Sequence, residues 1–169
     1  TRILSASVRV FHFRRTLGVP WIPVAWALAI FVIQIQYWWA IFELSNTVEV
    51  WTVVHFGTLL FLALTLFIAG ALVLPAAAST LDRSVLEYFE RHGRWALLFL
   101  SAYSLTGLWA NWFLFGVSPL SGLGAVVVIV AALPVAFLLI RNAMARGAIT
   151  ISYLGVTAWL IAATSPAAY

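Results

Sequence analysis

The sequence predicts an all-α integral membrane protein, a polytopic helical bundle with about five transmembrane helices and one amphipathic helix at a membrane surface. Charged residues make up only 8% of the chain, hydrophobic residues make up 64%, and the mean hydropathy is +1.07. Soluble domains carry roughly 25% charged residues. A water-soluble fold of 169 residues could not cover this much apolar surface, because small domains leave much of their surface exposed.

Five apolar stretches are long enough to cross a bilayer, which requires roughly 20 residues. They cover residues 20–44, 50–75, 94–116, 121–141 and 147–165. Inside hydrocarbon each backbone polar group must be bonded within its own segment, and the stretches lack the alternation of a barrel strand. We therefore interpret them as helices, and residues 20–169 as one transmembrane domain.

Two further segments are predicted to lie outside the hydrocarbon. Residues 1–19 are rich in arginine and form a cytoplasmic or interfacial segment. Residues 79–93 predict a surface helix, because apolar residues recur there at helical spacing and Gly93 suits a C-terminal cap. Its apolar stripe consists of Leu81, Val85, Leu86 and Phe89.

The arginines predict the orientation. All nine basic residues are arginine, and they are confined to one set of connections. They are Arg2, Arg9, Arg14, Arg15, Arg83, Arg91, Arg94, Arg141 and Arg146. Loops 45–49 and 117–120 and the tail after residue 165 contain none. The positive-inside rule then places the arginine-bearing connections in the cytoplasm and the C-terminus outside.

The composition also excludes several chemistries. The chain has no lysine, which excludes a retinal bound through a Schiff base. It has no cysteine, which excludes disulfides, iron–sulfur clusters and covalently attached c-type haem. The high pI, about 10.1, follows from arginines held at one membrane face, so we predict no nucleic-acid partner.

Few polar side chains fall within the spans, and these are the candidate site residues. They form a predicted polar cluster made of Gln34, Gln36, Glu43, His55 and Asn111. The short connection after the first span predicts that Glu43 and His55 lie at similar depth near the outer leaflet. Such a pair could relay protons or bind a cation, or it could simply reach water and a neighbouring helix. Gln34 and Gln36 point in different directions, so we expect one of them to join two helices.

His55 is also the one candidate for binding a cofactor. A haem b held by two histidines is not expected within one chain, because His12 and His92 fall outside the predicted spans. A single histidine could still ligate a chlorophyll-type magnesium or a five-coordinate haem. The cofactor remains unknown, and the sequence predicts neither a metal site nor a catalytic residue.

Several short motifs resemble a group of uncharacterised bacterial multi-span inner-membrane proteins of unassigned function. The motifs are Trp26-Ala27-Leu28, Gln34-Ile35-Gln36-Tyr37-Trp38-Trp39-Ala40, Trp51-Thr52, Leu74-Pro75 and Tyr88-Phe89 with Arg91 and Arg94-Trp95. The resemblance covers roughly residues 5–115. It implies a helix before Thr1 and location in the bacterial inner membrane, and it transfers no catalytic residue.

The leading functional hypothesis is a non-enzymatic membrane subunit or scaffold that works within a larger or oligomeric assembly. Its partners would be the lipid bilayer and other membrane subunits or further copies of itself. One alternative is a small-solute transporter or channel lined by the polar cluster near the outer leaflet. A further alternative is a pigment- or haem-binding protein with His55 as the axial ligand.

Overall fold

The computed structural model describes residues 21–47, 51–75, 85–116 and 118–164, and every regular element in these ranges is helical. The elements are α1 (Trp21–Thr47), α2 (Val53–Val73), α3 (Val85–Tyr88), a π-helical turn (Phe89–Gly93), α4 (Arg94–Phe115), α5 (Gly122–Leu139) and α6 (Ala143–Thr164). The predicted segment 1–19 and the first part of the surface helix, residues 79–84, lie outside the described residues.

Four of the helices are long and apolar enough to cross a membrane. These segments are Trp21–Phe42, Val53–Val73, Gly122–Leu139 and Ala143–Thr164. The fifth long helix, α4, has 22 residues and packs between two of them. The structure thus confirms the prediction of an all-α, multi-pass membrane bundle.

The five long helices form a ring that closes on itself. Each of α1, α2, α4, α5 and α6 packs against the next, and α6 also packs against α1. The ring of Trp21 lies over Gly147, and the ring of Trp26 lies beside that of Tyr153. From the first contact to the second, the residue numbers rise in both helices, so α1 and α6 run parallel. All five helices therefore face one shared interior.

Large apolar side chains fill this interior, and Trp26 has a central place among them. The indole of Trp26 is fully buried, with its ring centroid 5.5 Å from that of Phe137 and 4.6 Å from that of Tyr153. The other members of this core come from every long helix. They include Ile30, Leu66, Val73, Leu97, Leu100 and Val130.

The start of α6 differs from the sequence prediction, and Asn142 explains the difference. We expected the last span to begin at residue 147, after Arg146. Instead the helix begins at Ala143, because Asn142 Oδ1 accepts a hydrogen bond of 2.9 Å from the backbone N–H of Met144. Arg146 consequently lies within the first turn of the helix rather than in a loop.

The expectation that Gly93 caps the surface helix is wrong. Gly93 has a φ of −60° and a right-handed conformation, and the chain passes from the π-helical turn directly into α4. The residue is needed for space rather than for a left-handed turn. A Cβ on Gly93 would lie 2.4 Å from Cδ2 of Phe89. Of the predicted apolar stripe, Val85 and Phe89 are buried, whereas Leu86 is exposed.

Candidate functional site

Arg146 organises one end of the bundle, here called the arginine-rich end because Arg94 and Arg141 lie there too. Its Nη1 donates to Oε1 of Glu90 at 2.5 Å, and its Nε donates to the carbonyl oxygen of Ile140 at 2.7 Å. The guanidinium also lies 5.1 Å from the ring centroid of Phe137. One side chain thereby joins the π-helical turn, the α5–α6 connection and the core.

His55 lies at the opposite end, in the first turn of α2. The turn is capped by Thr52, whose Oγ1 accepts from the backbone N–H of His55 at 3.3 Å. The imidazole lies between aromatic rings, with centroid distances of 6.4 Å to Trp51 and 5.5 Å to Phe113. Its Nδ1 is buried and has no hydrogen-bond partner in the part of the chain that the structure describes.

Gln34 joins two helices in the middle of the bundle. Its Nε2 donates to the carbonyl oxygen of Leu66 on α2 at 3.3 Å. One turn further along α1, the hydroxyl of Tyr37 donates to the carbonyl oxygen of Leu59 at 2.5 Å. The two bonds pair α1 with an antiparallel α2. Of the two glutamines, Gln34 is thus the one that links helices.

The structure does not gather Gln36, His55 or Asn111 around Gln34. Gln36 is half-buried and forms no hydrogen bond within the described ranges, and Asn111 is exposed near the end of α4. Glu43 lies in α1, but its side chain, and so its predicted proximity to His55, falls outside what the structure describes. His55 lies 11 residues from Leu66 along α2, roughly 16 Å at the rise of an α-helix. Gln34 and His55 are therefore at different depths.

The interior contains buried polar groups that were not among the predicted candidates. Besides the Nδ1 atoms of His55 and His92, four side-chain atoms are buried without a hydrogen-bond partner among the described residues of the bundle: Trp26 Nε1, Ser101 Oγ, Tyr153 Oη and Thr157 Oγ1. Three of these residues lie on α1 and α6. The spacing of Thr150, Tyr153 and Thr157 could have indicated a polar stripe on α6 from the sequence, because residues three and four apart share one helix face.

Within residues 21–47, 51–75, 85–116 and 118–164, no group of three or more histidine, aspartate or glutamate side chains is arranged to hold a metal ion. Cysteine is lacking from the whole sequence. Away from the imidazoles of His55 and His92, the polar side-chain groups that the described interior offers are the amide of Gln34, hydroxyls and one indole N–H, which bind through neutral hydrogen bonds.

These features define a class: a polytopic α-helical membrane protein whose described interior carries neutral polar groups and whose described ion pair, Arg146 with Glu90, lies at one end. Comparisons of the chain with models of protein families, with curated proteins and with solved structures find no match.

Proposed function

We propose that this chain is a non-enzymatic integral membrane subunit or scaffold that associates with other membrane helices in the bacterial inner membrane. The observation that supports the proposal is the outer face of α6, the side of this helix that points away from the bundle. Its exposed small residues are Ala148, Ser152, Gly155 and Ala158.

The two sides of α6 differ in their surroundings. Gly147, Thr150, Tyr153 and Thr157 are buried against the bundle. Only 22% of the apolar stretch of α6 is buried within the chain, against 33% for α1, 33% for α2 and 28% for α5. Of the four apolar spans, α6 thus presents the largest share of its surface to lipid or to another protein.

Beside the exposed side chains of Ile151 and Trp159, the outer face of α6 carries small residues of the kind found where membrane helices pack. A Cβ on Gly155 would meet nothing within 4 Å, so the chain itself makes no use of the space that this glycine leaves. Glycine in a helix costs about 1 kcal/mol relative to alanine. In membranes, small residues spaced three or four apart allow a second helix to approach closely, and serine can bond across the contact. Association with a further helix would offset the cost.

The expected orientation follows from the arginines. Arg94, Arg141 and Arg146 lie at one end of the bundle, and the positive-inside rule favours this end in the cytoplasm. The partner on the outer face of α6 is either a second copy of the chain or another membrane subunit. A lipid bilayer surrounds the remaining faces.

Cysteine cross-linking tests the proposal without interference from native thiols, because the chain has no cysteine of its own. Under mild oxidation in native membranes, Ser152→Cys should give a disulfide-linked dimer if the partner is a second copy. Leu105→Cys is the matched control, since this exposed residue lies at a similar distance from the arginine-rich end but on α4. It should remain monomeric.

A bulky substitution extends the test to a partner of another sequence. Gly155→Leu should release the copurifying subunit, or dissociate the oligomer, in mild detergent. Gly57→Leu is the control, because Gly57 is also exposed and open but lies on α2. A protein that is monomeric in native membranes, without cross-link or copurifying subunit, would refute the proposal.

A further inference from the structure

A group of polar atoms lies between α1 and α6, deep inside the bundle. Trp26 and Tyr153 have no exposed surface and Thr157 is only 7% exposed. Trp26 Nε1, Tyr153 Oη and Thr157 Oγ1 all lack a hydrogen-bond partner of proper geometry among the described residues. Burying such groups unpaired is unfavourable, because no water replaces the hydrogen bond that they lose.

The three residues are neighbours. The ring centroids of Trp26 and Tyr153 are 4.6 Å apart, and Thr157 follows Tyr153 one turn later on the inner face of α6. The hydroxyl of Thr157 lies close enough to that of Tyr153 to act as a hydrogen-bond partner by distance, although the pair lacks the geometry of a full hydrogen bond, and Tyr103 acts on the Tyr153 hydroxyl electrostatically. The polar atoms thus belong to one region of the interior, which α4 also reaches through Tyr103.

Thr157 differs from the other buried threonines of the described helices. Thr58, Thr65 and Thr150 each donate to the carbonyl oxygen four residues earlier, at 2.7–2.9 Å. Such a bond is the usual way for a hydroxyl to be satisfied within a membrane helix. Thr157 forms no bond of this kind, so its hydroxyl remains available for a partner from outside its own helix.

We propose that Trp26, Tyr153 and Thr157 form a binding site for a neutral oxygen acceptor inside the bundle. An indole N–H can only donate, whereas the two hydroxyls can donate or accept, so the guest must offer at least one acceptor oxygen. Three neutral groups provide no counter-charge, and a charged guest would therefore be too costly to desolvate. Either an ordered water or the carbonyl oxygen of a small neutral molecule has this chemistry. The site does not depend on the association proposed for α6, because its residues lie on the opposite side of that helix.

The sign of a stability change separates an occupied site from an empty one. If a guest is bound, Tyr153→Phe and Thr157→Val each remove a hydrogen bond and lower the Tm, by about 2–4 °C for the loss expected of one bond. If the site is empty, both changes remove an unpaired polar atom, and the Tm rises or stays the same. Thr150→Val serves as the control, because the hydroxyl of this equally buried threonine bonds only within its own helix.

A density map with enough resolution to show ordered water completes the test. It distinguishes a bound guest from a direct hydrogen bond between the hydroxyls of Tyr153 and Thr157. Density within hydrogen-bond distance of Trp26 Nε1 and of either hydroxyl, together with a lower Tm in either variant relative to Thr150→Val, supports the proposal. A single-atom feature indicates water. Extended density, with a matching small molecule in the mass spectrum of the extracted protein, indicates a neutral ligand. An empty interior, or no loss of Tm in both variants, overturns the proposal.

Discussion

The side chain of Phe89 occupies the space into which a side chain on Gly93, one turn later, would project. A Cβ on Gly93 would lie 2.4 Å from Cδ2 of Phe89 and 2.7 Å from Cε2. The Phe89 ring cannot easily withdraw, because it is buried with its centroid 6.0 Å from that of Phe137. Where the π-helical turn joins α4, close packing therefore depends on a residue without a side chain.

We predict that Gly93→Ala destabilises the protein by about 1–3 kcal/mol, the range for overpacking a filled core. Gly107→Ala, in the same continuous helix, should instead stabilise it by about 0.5–1 kcal/mol, since alanine favours helix and nothing lies within 4 Å of the new Cβ. Thermal unfolding in detergent measures both changes. Equal effects of the two substitutions would contradict the packing that we describe.

Arg146 should contribute more to stability than its partner Glu90. The Glu90 side chain is 50% exposed, so Glu90→Gln should cost less than about 1 kcal/mol. Arg146→Ala also removes the bond to the Ile140 carbonyl and the contact with Phe137, and should cost about 2 kcal/mol or more. A double-mutant cycle measures the ion pair alone. The coupling energy between Arg146 and Glu90 should fall with added salt. A coupling energy that does not change with salt would contradict the solvent exposure of the pair.

Gln34 and Gln36 form a matched pair for testing a link between α1 and α2. Gln34→Leu removes the bond to the Leu66 carbonyl and should destabilise the bundle by about 0.6 kcal/mol, the mean for side-chain bonds between membrane helices. Gln36→Leu removes no hydrogen bond seen in the described ranges and should be neutral or slightly stabilising. The comparison requires thermal unfolding of both variants in the same detergent. A larger loss in Gln36→Leu would indicate that this residue has a partner outside the chain.

Two exposed positions test the predicted orientation. Leu120 is 96% exposed in the connection before α5, and Met144 is 85% exposed in the first turn of α6. In intact bacterial cells, a membrane-impermeant maleimide should label Leu120→Cys but not Met144→Cys, which should react only after the membrane is opened. The reverse pattern would mean that the arginine-rich end faces outside, against the positive-inside rule.

The number of long helices and their approximate extent could be predicted, because they follow from hydrocarbon thickness and from the cost of unpaired backbone groups, although only four of the five are found apolar enough to span a membrane. The ends of α2, α4 and α5 agree with the predicted spans to within a few residues. The start of α6 could not be predicted from hydropathy, since it is determined by one side chain, Asn142, that caps the helix ahead of a charged residue.

The interior was harder to predict than the spans. A sequence shows that Gln34 and Gln36 face different ways, but only the position of Leu66 on a neighbouring helix shows which one finds a partner. The same holds for Thr150 and Thr157, which are both buried on one helix face although only Thr150 bonds within its helix. Contacts between segments distant in sequence decide such cases, and no local pattern records them.

The parallel contact of α1 with α6 has a consequence for biosynthesis. Chains emerge from the ribosome N-terminus first, so α1 enters the bilayer long before α6 has been made. During that interval the indole of Trp26 has neither Tyr153 nor Phe137 beside it and must face lipid or a temporary companion. The contact that closes the ring can therefore form only after α6 has entered the bilayer, and a chain that stops before Ala143 would lack it.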